Sequence, residues 1–421
     1  SMKYFLVAAL CVAGSVQAQQ SISLAEVTRI ETTLAADDMQ GRKAGTPGID
    51  KAAAFIAAEF KKAGLRPMGN DGFMQRFNML KPKLIEQKIE IDDVEKDPKT
   101  VVVVTTEREL KVNEKSGYQV ERIRAGESFN KVINFRNVSQ NTVVFIDTSF
   151  ASQFARLNGF KRQLMQGSKN LVFVLGDYNP QEFTIKAEHS FEATPFANVV
   201  GMLPGTTRSG EYIIFSGHYD HLGIGKPQNG DSIYNGANDD AAGTTAVIAL
   251  AQHFAKAKNN NRTIVFAAFT AEEIGGFGSQ FFSQQLPPDS VVAMLNIEMI
   301  GTDSKWGKNS AYITGYEKSS LGTILQQSLK GSAFTFHPDP YPEQQLFYRS
   351  DNATLAMLGV PAHTISTSKM DNEPNYHKAS DEVSTLDLVN MTEIIKAIAL
   401  SATDIISGKT TPTRVDKSTL R

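Results

Sequence analysis

Five residues in the second half of the 421-residue chain carry side chains that bind metal: His218, Asp239, Glu273, Glu298 and His377. Each stands where the local sequence suggests a loop at the end of a strand. Two imidazoles and three carboxylates can hold a pair of zinc-class ions, since nitrogen and oxygen donors match such ions and the three carboxylates offset most of their charge. A further acid, Glu272, adjoins one of the five and is a candidate for moving protons. Together they are the equipment of metal-assisted hydrolysis.

The local contexts assign different tasks. His218 follows the strand Tyr212–Ser216, and Asp220, two residues on, can accept the other ring N–H and fix the tautomer. Asn235-Gly236-Ala237-Asn238-Asp239-Asp240 opens a helix, where negative charge is welcome at the N-terminus. Asp240 reads as an N-cap, which leaves Asp239 free to bridge two ions through its two oxygens. The buried strand Thr263–Phe269 runs into Glu272 and Glu273, adjacent acids that are costly unless cations compensate them. One can bind metal while the other handles protons. Glu298 directly follows the apolar run Met294–Ile297, and His377 lies in the polar loop Asn375-Tyr376-His377-Lys378. The other histidines, 189, 221, 253, 337 and 363, lack this pattern; His363 reads as core and His253 as helix surface. No nucleophile elbow, H-E-x-x-H, Walker or dinucleotide fingerprint occurs in the sequence.

The elements that must position these side chains are also legible. Strands after residue 195 (Tyr212–Ser216, Thr263–Phe269, Val292–Ile297, Pro361–Ser366) alternate with helices (Gly243–Lys256, Leu386–Ser407). This pattern predicts an α/β fold, a mixed and largely parallel sheet with helices on both faces, and ligands in such sheets sit beyond the carboxyl ends of the strands. Residues 24–64 read as helices around a polar turn, with positions 49, 52, 56 and 60 on one face and Gly64 just past the end. Residues 81–194 hold short β runs (Val101–Val104, Val143–Ile146, Leu171–Leu175) and no catalytic cluster. They are expected to form an inserted β-rich domain of accessory role, the alternative being an extension of the main sheet. The catalytic unit is then 19–80 with 195–410, and 411–421 is a tail.

Composition limits the partners. A net charge of −2 and a charged fraction of 21% give no reason to expect nucleic acid. Lys3, the apolar run Tyr4–Ala13 and the small residues to Ala18 describe a secretory signal peptide over 1–18, hence a secreted or periplasmic protein. The single cysteine, Cys11, lies inside that leader behind Leu10, so neither lipidation nor thiol chemistry is expected. Membrane insertion is not expected either, because no later stretch is long and apolar enough.

Taken in order, the five metal-site segments resemble the co-catalytic zinc aminopeptidases of the bacterial leucine-aminopeptidase type, whose wider relatives include glutamate carboxypeptidases and glutaminyl cyclases. Asp38-Met39-Gln40-Gly41-Arg42 and Gly45-Thr46-Pro47-Gly48 are similar to members of this group as well. The resemblance covers roughly 25–80 and 195–408, and 81–194 resembles a protease-associated domain. It implies a zinc exopeptidase fold acting on peptides with two zinc ions. His218 and Glu298 would hold one ion, Glu273 and His377 the other, and Asp239 would bridge. Glu272 matches the general base, Tyr376 a tyrosine that stabilises the oxyanion, and Asp220 the partner of the first histidine. A cis peptide between Asp239 and Asp240 is implied too.

Glu298 departs from the resemblance, which calls for aspartate. A single-zinc site is therefore the alternative, and glutaminyl cyclase the first competing activity; a carboxypeptidase or dipeptidase is another. A carboxypeptidase would want a cation for the substrate carboxylate, for which Arg349 is the one tempting position, though it reads more readily as a surface arginine. Acids such as Glu272 and Glu298 suit a free amine, which favours the amino end. A non-catalytic binding module would have eroded ligands, whereas all five are kept. Trp306, Phe347 and Tyr348 read equally as cleft aromatics or as ordinary packing.

Overall fold

β-branched and apolar runs build the centre of the molecule. The structure, a computed structural model, describes residues 22–421, so the leader expected at 1–18 lies outside the described residues. The main strands are Met74–Ile91 (β1), Phe183–Leu203 (β2), Arg208–His218 (β3), Arg262–Phe269 (β4), Val291–Ile297 (β5), Ser310–Ile313 (β6), Thr335–Pro338 (β7) and Ala362–Ser366 (β8). They lie side by side in the order β7-β6-β8-β5-β3-β4-β2-β1. At the centre, β3 is parallel to β4 and β5, and β5 to β8. Towards the edges, β2 runs antiparallel to β4 and β1, and β6 antiparallel to β8. The sheet is thus mixed with a parallel centre, as the sequence pattern predicts.

Every residue of β4 and β5 is buried, which requires cover on both faces. Strand alternation divides the side chains accordingly. Ile213, Phe215, Ile264 and Phe266 face a core built with the helices Leu24–Leu34 (α1), Pro47–Ala63 (α2), Ala242–Ala257 (α3) and Leu388–Ser401 (α4). Ile214, Val265 and Ala267 face the other side and meet Phe282 and Leu355 of two short helices. The helix expected over Leu386–Ser407 divides into α4 and a short Thr403–Ser407 turn. Ser401 and Thr403 donate their hydroxyls back to Ile398 O and Leu400 O, which competes with helix propagation.

Within 81–194, four strands (Val101–Val104, Leu171–Leu175, Thr142–Ile146, Gln119–Ile123) make a second sheet. Val103, Val143 and Val172 pack against Ile89, Ile91, Phe183 and Ile185 of β1 and β2. Those two strands also extend the main sheet into this segment, pairing from Met74 opposite Val199 to Ile91 opposite Phe183. Residues 411–421 lie against the start of β5, where Arg414 donates to Val291 O at 2.6 Å. Among the described residues, no helix is long and apolar enough to cross a membrane.

Candidate metal centre

The parallel strands β3, β4 and β5 end on the same side of the sheet, and the chemistry gathers there. His218 is the last residue of β3, Glu272 and Glu273 come just after β4, and Glu298 directly follows β5. Asp239 belongs to the turn that opens α3, and His377 to the loop after β8. The backbone is forced at these points: Ala271, Met299 and His377 hold φ of 60°, 54° and 54°, a left-handed region that non-glycine residues seldom occupy. The Asp239–Asp240 peptide is cis, as the resemblance implies.

All five ligand-type residues converge. Asp239 Oδ1 lies 3.1 Å from His218 Nε2, and its Oδ2 lies 3.1 Å from His377 Nε2. Glu273 Oε2 is 3.0 Å from His377 Nε2. Glu298 Oε1 and Glu272 Oε2 are each 3.5 Å from His218 Nε2. Four ligands at ordinary zinc bond lengths in a tetrahedron stand roughly 3.3 Å apart, so these spacings match the edges of such a polyhedron. His218 Nε2, His377 Nε2 and Asp239 Oδ1 are buried atoms without a hydrogen-bond partner. Buried polar atoms are almost always satisfied. Their convergence on one another fits the holding of a cation, and the nitrogen and oxygen donor set suits zinc. By distance alone Glu272 and Glu298 are equivalent towards His218.

A second layer holds these groups in place. Asp220 is fully buried; its Oδ1 accepts from Glu272 N at 3.0 Å and its Oδ2 from Glu273 N at 3.1 Å. His218 Nδ1 is 3.3 Å from Asp220 Oδ1 and 3.1 Å from the Asp220 carbonyl. Asp220 thus ties the β3 imidazole to the β4 acids, which is more than the tautomer-fixing role read from sequence. Asp240 does cap, accepting from Gly243 N at 3.0 Å, but it also accepts from His218 N and Met299 N. Asp381 takes the N–H groups of Asn238 and Asp239 at 2.8 and 3.1 Å. Ser350 donates its hydroxyl to Glu298 Oε2.

Arg42, with no exposed surface, donates to the carbonyls of Leu34, Tyr219, Asn235 and Gly236 and so clamps the loops bearing His218 and Asp239 together. Gly41 beside it holds φ 69°, and a Cβ there would stand 2.5 Å from Gly223 O.

Sequence reasoning missed several of these. His221 lacks the sequence pattern of the ligand-type histidines, yet its Nδ1 lies 3.0 Å from Glu273 Oε1. It directly follows Asp220, the one signal available. Asp351 and Asp381 carry no local signal beyond being acids near the Arg349 and His377 segments. His363 is core as expected, held by Thr314 O and Ser319.

The electrostatics follow from crowding acids in a buried site. Burial pushes the Glu272 carboxyl well up, and Glu298, Glu273 and Asp351 add to it against the opposing pull of His218. Burial also raises Asp351, to about 7. For His218 burial acts downward, but the surrounding carboxylates, Glu272 foremost, outweigh it and hold the imidazole well above its usual range. The Asp239 and Glu273 carboxylates beside its Nε2 push His377 up to about 10. The Tyr376 ring stacks on His377 with centroids 4.0 Å apart, and burial raises its phenol above the ordinary range.

A cavity of about 230 Å³ opens beside the cluster, lined by Asp239, Glu272, Glu273, Glu298 and Tyr376 on one side. The aromatics flagged by sequence do not line it. Phe347 is buried in the core with Tyr348 packed beside it, and Trp306 stacks on His337 at 3.9 Å. Arg349 is exposed, as its surface reading expects, and also lines the cavity.

Residues 198–402, which contain all the metal-type side chains, match Peptidase family M28. Leucine aminopeptidase 1 of Metarhizium robertsii is 24% identical over 330 residues, covering 73% of this chain and 79% of that protein. Leucine aminopeptidase 1 of Trichoderma harzianum is 27% identical over 231 residues, 51% of this chain and 56% of the relative's length. Among solved structures, BSAP, a zinc aminopeptidase from Bacillus subtilis, gives a TM-score of 0.57 at 14% identity over 92% of this chain and 96% of that one, a likeness of fold.

Proposed function

We infer, from the match of residues 198–402 to Peptidase family M28, a zinc-dependent exopeptidase that removes residues from the amino end of peptides. Asp239 supports two ions over one. Each of its oxygens faces a different imidazole at 3.1 Å, so a single carboxylate can be shared between His218 with Glu298 and His377 with Glu273. Glu298, longer than the aspartate the resemblance calls for, is steered by Ser350, which takes Oε2 and leaves Oε1 directed at His218. When bound, the ions supply Lewis-acid polarisation of the scissile carbonyl and a more acidic water.

The protein's own groups do the rest. Glu272 accepts a proton from the attacking water and returns it to the departing amine, a task suited to a carboxyl whose proton affinity burial has raised. Tyr376, kept neutral by burial, donates its O–H to the substrate oxygen as negative charge develops there. Asp220 holds the His218 imidazole and the Glu272 and Glu273 backbone in one register. The concentration of acids at the cleft favours a substrate bearing a cationic free amine. Export to the periplasm or medium is proposed from the leader at 1–18; N-terminal sequencing of exported protein should then begin at Gln19.

The test compares wild type with Glu272→Gln for zinc per chain and hydrolysis of aminoacyl-p-nitroanilides. Two zinc ions in both proteins, with turnover lost at least a hundredfold in the variant, is the expected result. One zinc and cyclisation of an N-terminal glutamine peptide without amide hydrolysis would overturn it.

A further inference from the structure

The wall of the cavity facing the metal-type cluster comes from β6 and β8, and strand alternation makes it polar. Tyr312 pairs with Ser366, and Thr314 sits opposite Thr364, so hydroxyl-bearing residues share the cavity face. Ile313 and Ile365 point the other way into the main core. A pocket shaped for a wholly apolar side chain would have the apolar residues on the cavity side instead.

The polar face is built to stay polar. Beneath it, Ser216 donates to Asn296 at 2.8 Å, Asn296 to Thr364 at 3.1 Å, and Thr364 to Asn352 at 2.8 Å. Thr314 Oγ1 accepts from Thr364 N at 3.0 Å and donates to no protein group among the described residues, which leaves its proton for an occupant. Arg349 is the one cationic side chain lining this cavity among the described residues. It makes no ion pair there and is tied only to Gln344, at 3.1 Å to Oε1 and 3.5 Å to O. Met299, Leu346 and Met370 supply the remaining, apolar wall.

We propose that this pocket selects an N-terminal residue whose side chain has a short aliphatic stem ending in oxygen, a carboxylate or carboxamide as in glutamate and glutamine, in preference to leucine. The stem lies against the methionines and Leu346, the terminal oxygen accepts from Thr314, and a carboxylate is further drawn by Arg349. A leucine side chain would leave the buried Thr314 hydroxyl unpaired, the circumstance in which polar pockets discriminate most strongly, and would forgo the charge of Arg349, which is exposed. The proposal deepens the aminopeptidase reading above and presupposes it.

The experiment measures kcat/KM of the zinc-loaded full chain for glutamyl-, glutaminyl- and leucyl-p-nitroanilide, for wild type, Arg349→Met and Thr314→Val. Wild type should prefer the glutamyl or glutaminyl substrate to leucyl at least tenfold. Arg349→Met should lower the glutamyl-to-leucyl ratio tenfold or more, and Thr314→Val should lower both polar-to-leucyl ratios. Leucyl preference in wild type, or ratios unmoved in both variants, overturns the proposal while leaving the aminopeptidase reading intact. Because these anilides have no free carboxyl end, an Arg349→Met effect confined to peptides with a free C-terminus would assign Arg349 to that carboxylate and overturn the side-chain role. No turnover of any aminoacyl anilide by folded, zinc-loaded protein would remove the aminopeptidase reading, and the proposal with it.

Discussion

Asp220→Asn should damage the metal centre from two sides at once. The wild-type carboxylate gives one oxygen to Glu272 N at 3.0 Å and the other to Glu273 N at 3.1 Å, with His218 Nδ1 3.3 Å from the first. Asparagine has one acceptor oxygen and one NH2 group. Whichever way it turns, its NH2 faces a buried backbone N–H, and leaving that donor unsatisfied costs about 1–3 kcal/mol. The surviving hydrogen bond loses its charge, worth about 1 kcal/mol more. If the loss falls on the assembled centre, about 2–4 kcal/mol corresponds to roughly 30- to 1000-fold in zinc affinity or in kcat/KM. Competition with a chromophoric chelator measures the first, and anilide hydrolysis at saturating zinc the second. Zinc affinity and kcat/KM both within threefold of wild type would refute the positioning role, as would a fall confined to the melting temperature of the zinc-free protein.

Two further outcomes rest on buried charge. Arg42→Met strips four backbone carbonyls of their donor; at about 1–3 kcal/mol each the total rivals the stability of an ordinary domain, so the urea midpoint should collapse. Arg42→Lys, with three donors for four carbonyls, should fall between, and an unchanged midpoint in the methionine variant would contradict this account. Burial pushes Glu31 from 4.5 up to about 8. A folded pKa above the unfolded one means that the native state holds a proton the unfolded chain has released, so stability is full below pH 4.5 and declines as pH rises through about 8. Glu31→Gln should lack that decline, which is on the order of a few kcal/mol at most; melting curves that run parallel to wild type from pH 5 to 9 would rule it out.

The strands of the parallel centre were legible because burial on both faces leaves nearly unbroken apolar runs, as in Thr263–Phe269 and Val292–Ile297. The convergence of His218, Asp239, Glu273 and Glu298 was legible for a related reason, since each stands at or just past the end of such a run or opens a helix, whereas His377 lies in a polar loop and was legible only in order with the other four. The supporting residues were not. Ser350 meets Glu298 across 52 positions, Asp381 meets Asn238 across 143, and Arg42 meets Asn235 across 193, distances over which no local pattern operates. Phe347 shows the converse limit. It stands beside cleft residues in sequence, but whether an aromatic lines a cavity or fills the core depends on which strand backs it, and here Phe347 packs among Met294, Leu355 and Ala362.

The ribbon formed by β1 and β2 has a mechanical side. The chain enters residues 81–194 and leaves them through neighbouring rungs of one ladder, Leu80 opposite Ala193 and Lys81 opposite Glu192, so the segment hangs from a stiff two-stranded stem and not from a loose tether. At about 3.3 Å per residue the 18-residue β1 makes that stem roughly 60 Å long. Its near end is clamped edge to edge on β4, from Val199 opposite Ala268 to Leu203 opposite Ile264. A torsion applied at the far end, by anything that grips the small sheet, therefore has its anchorage on the strand that delivers Glu272 and Glu273.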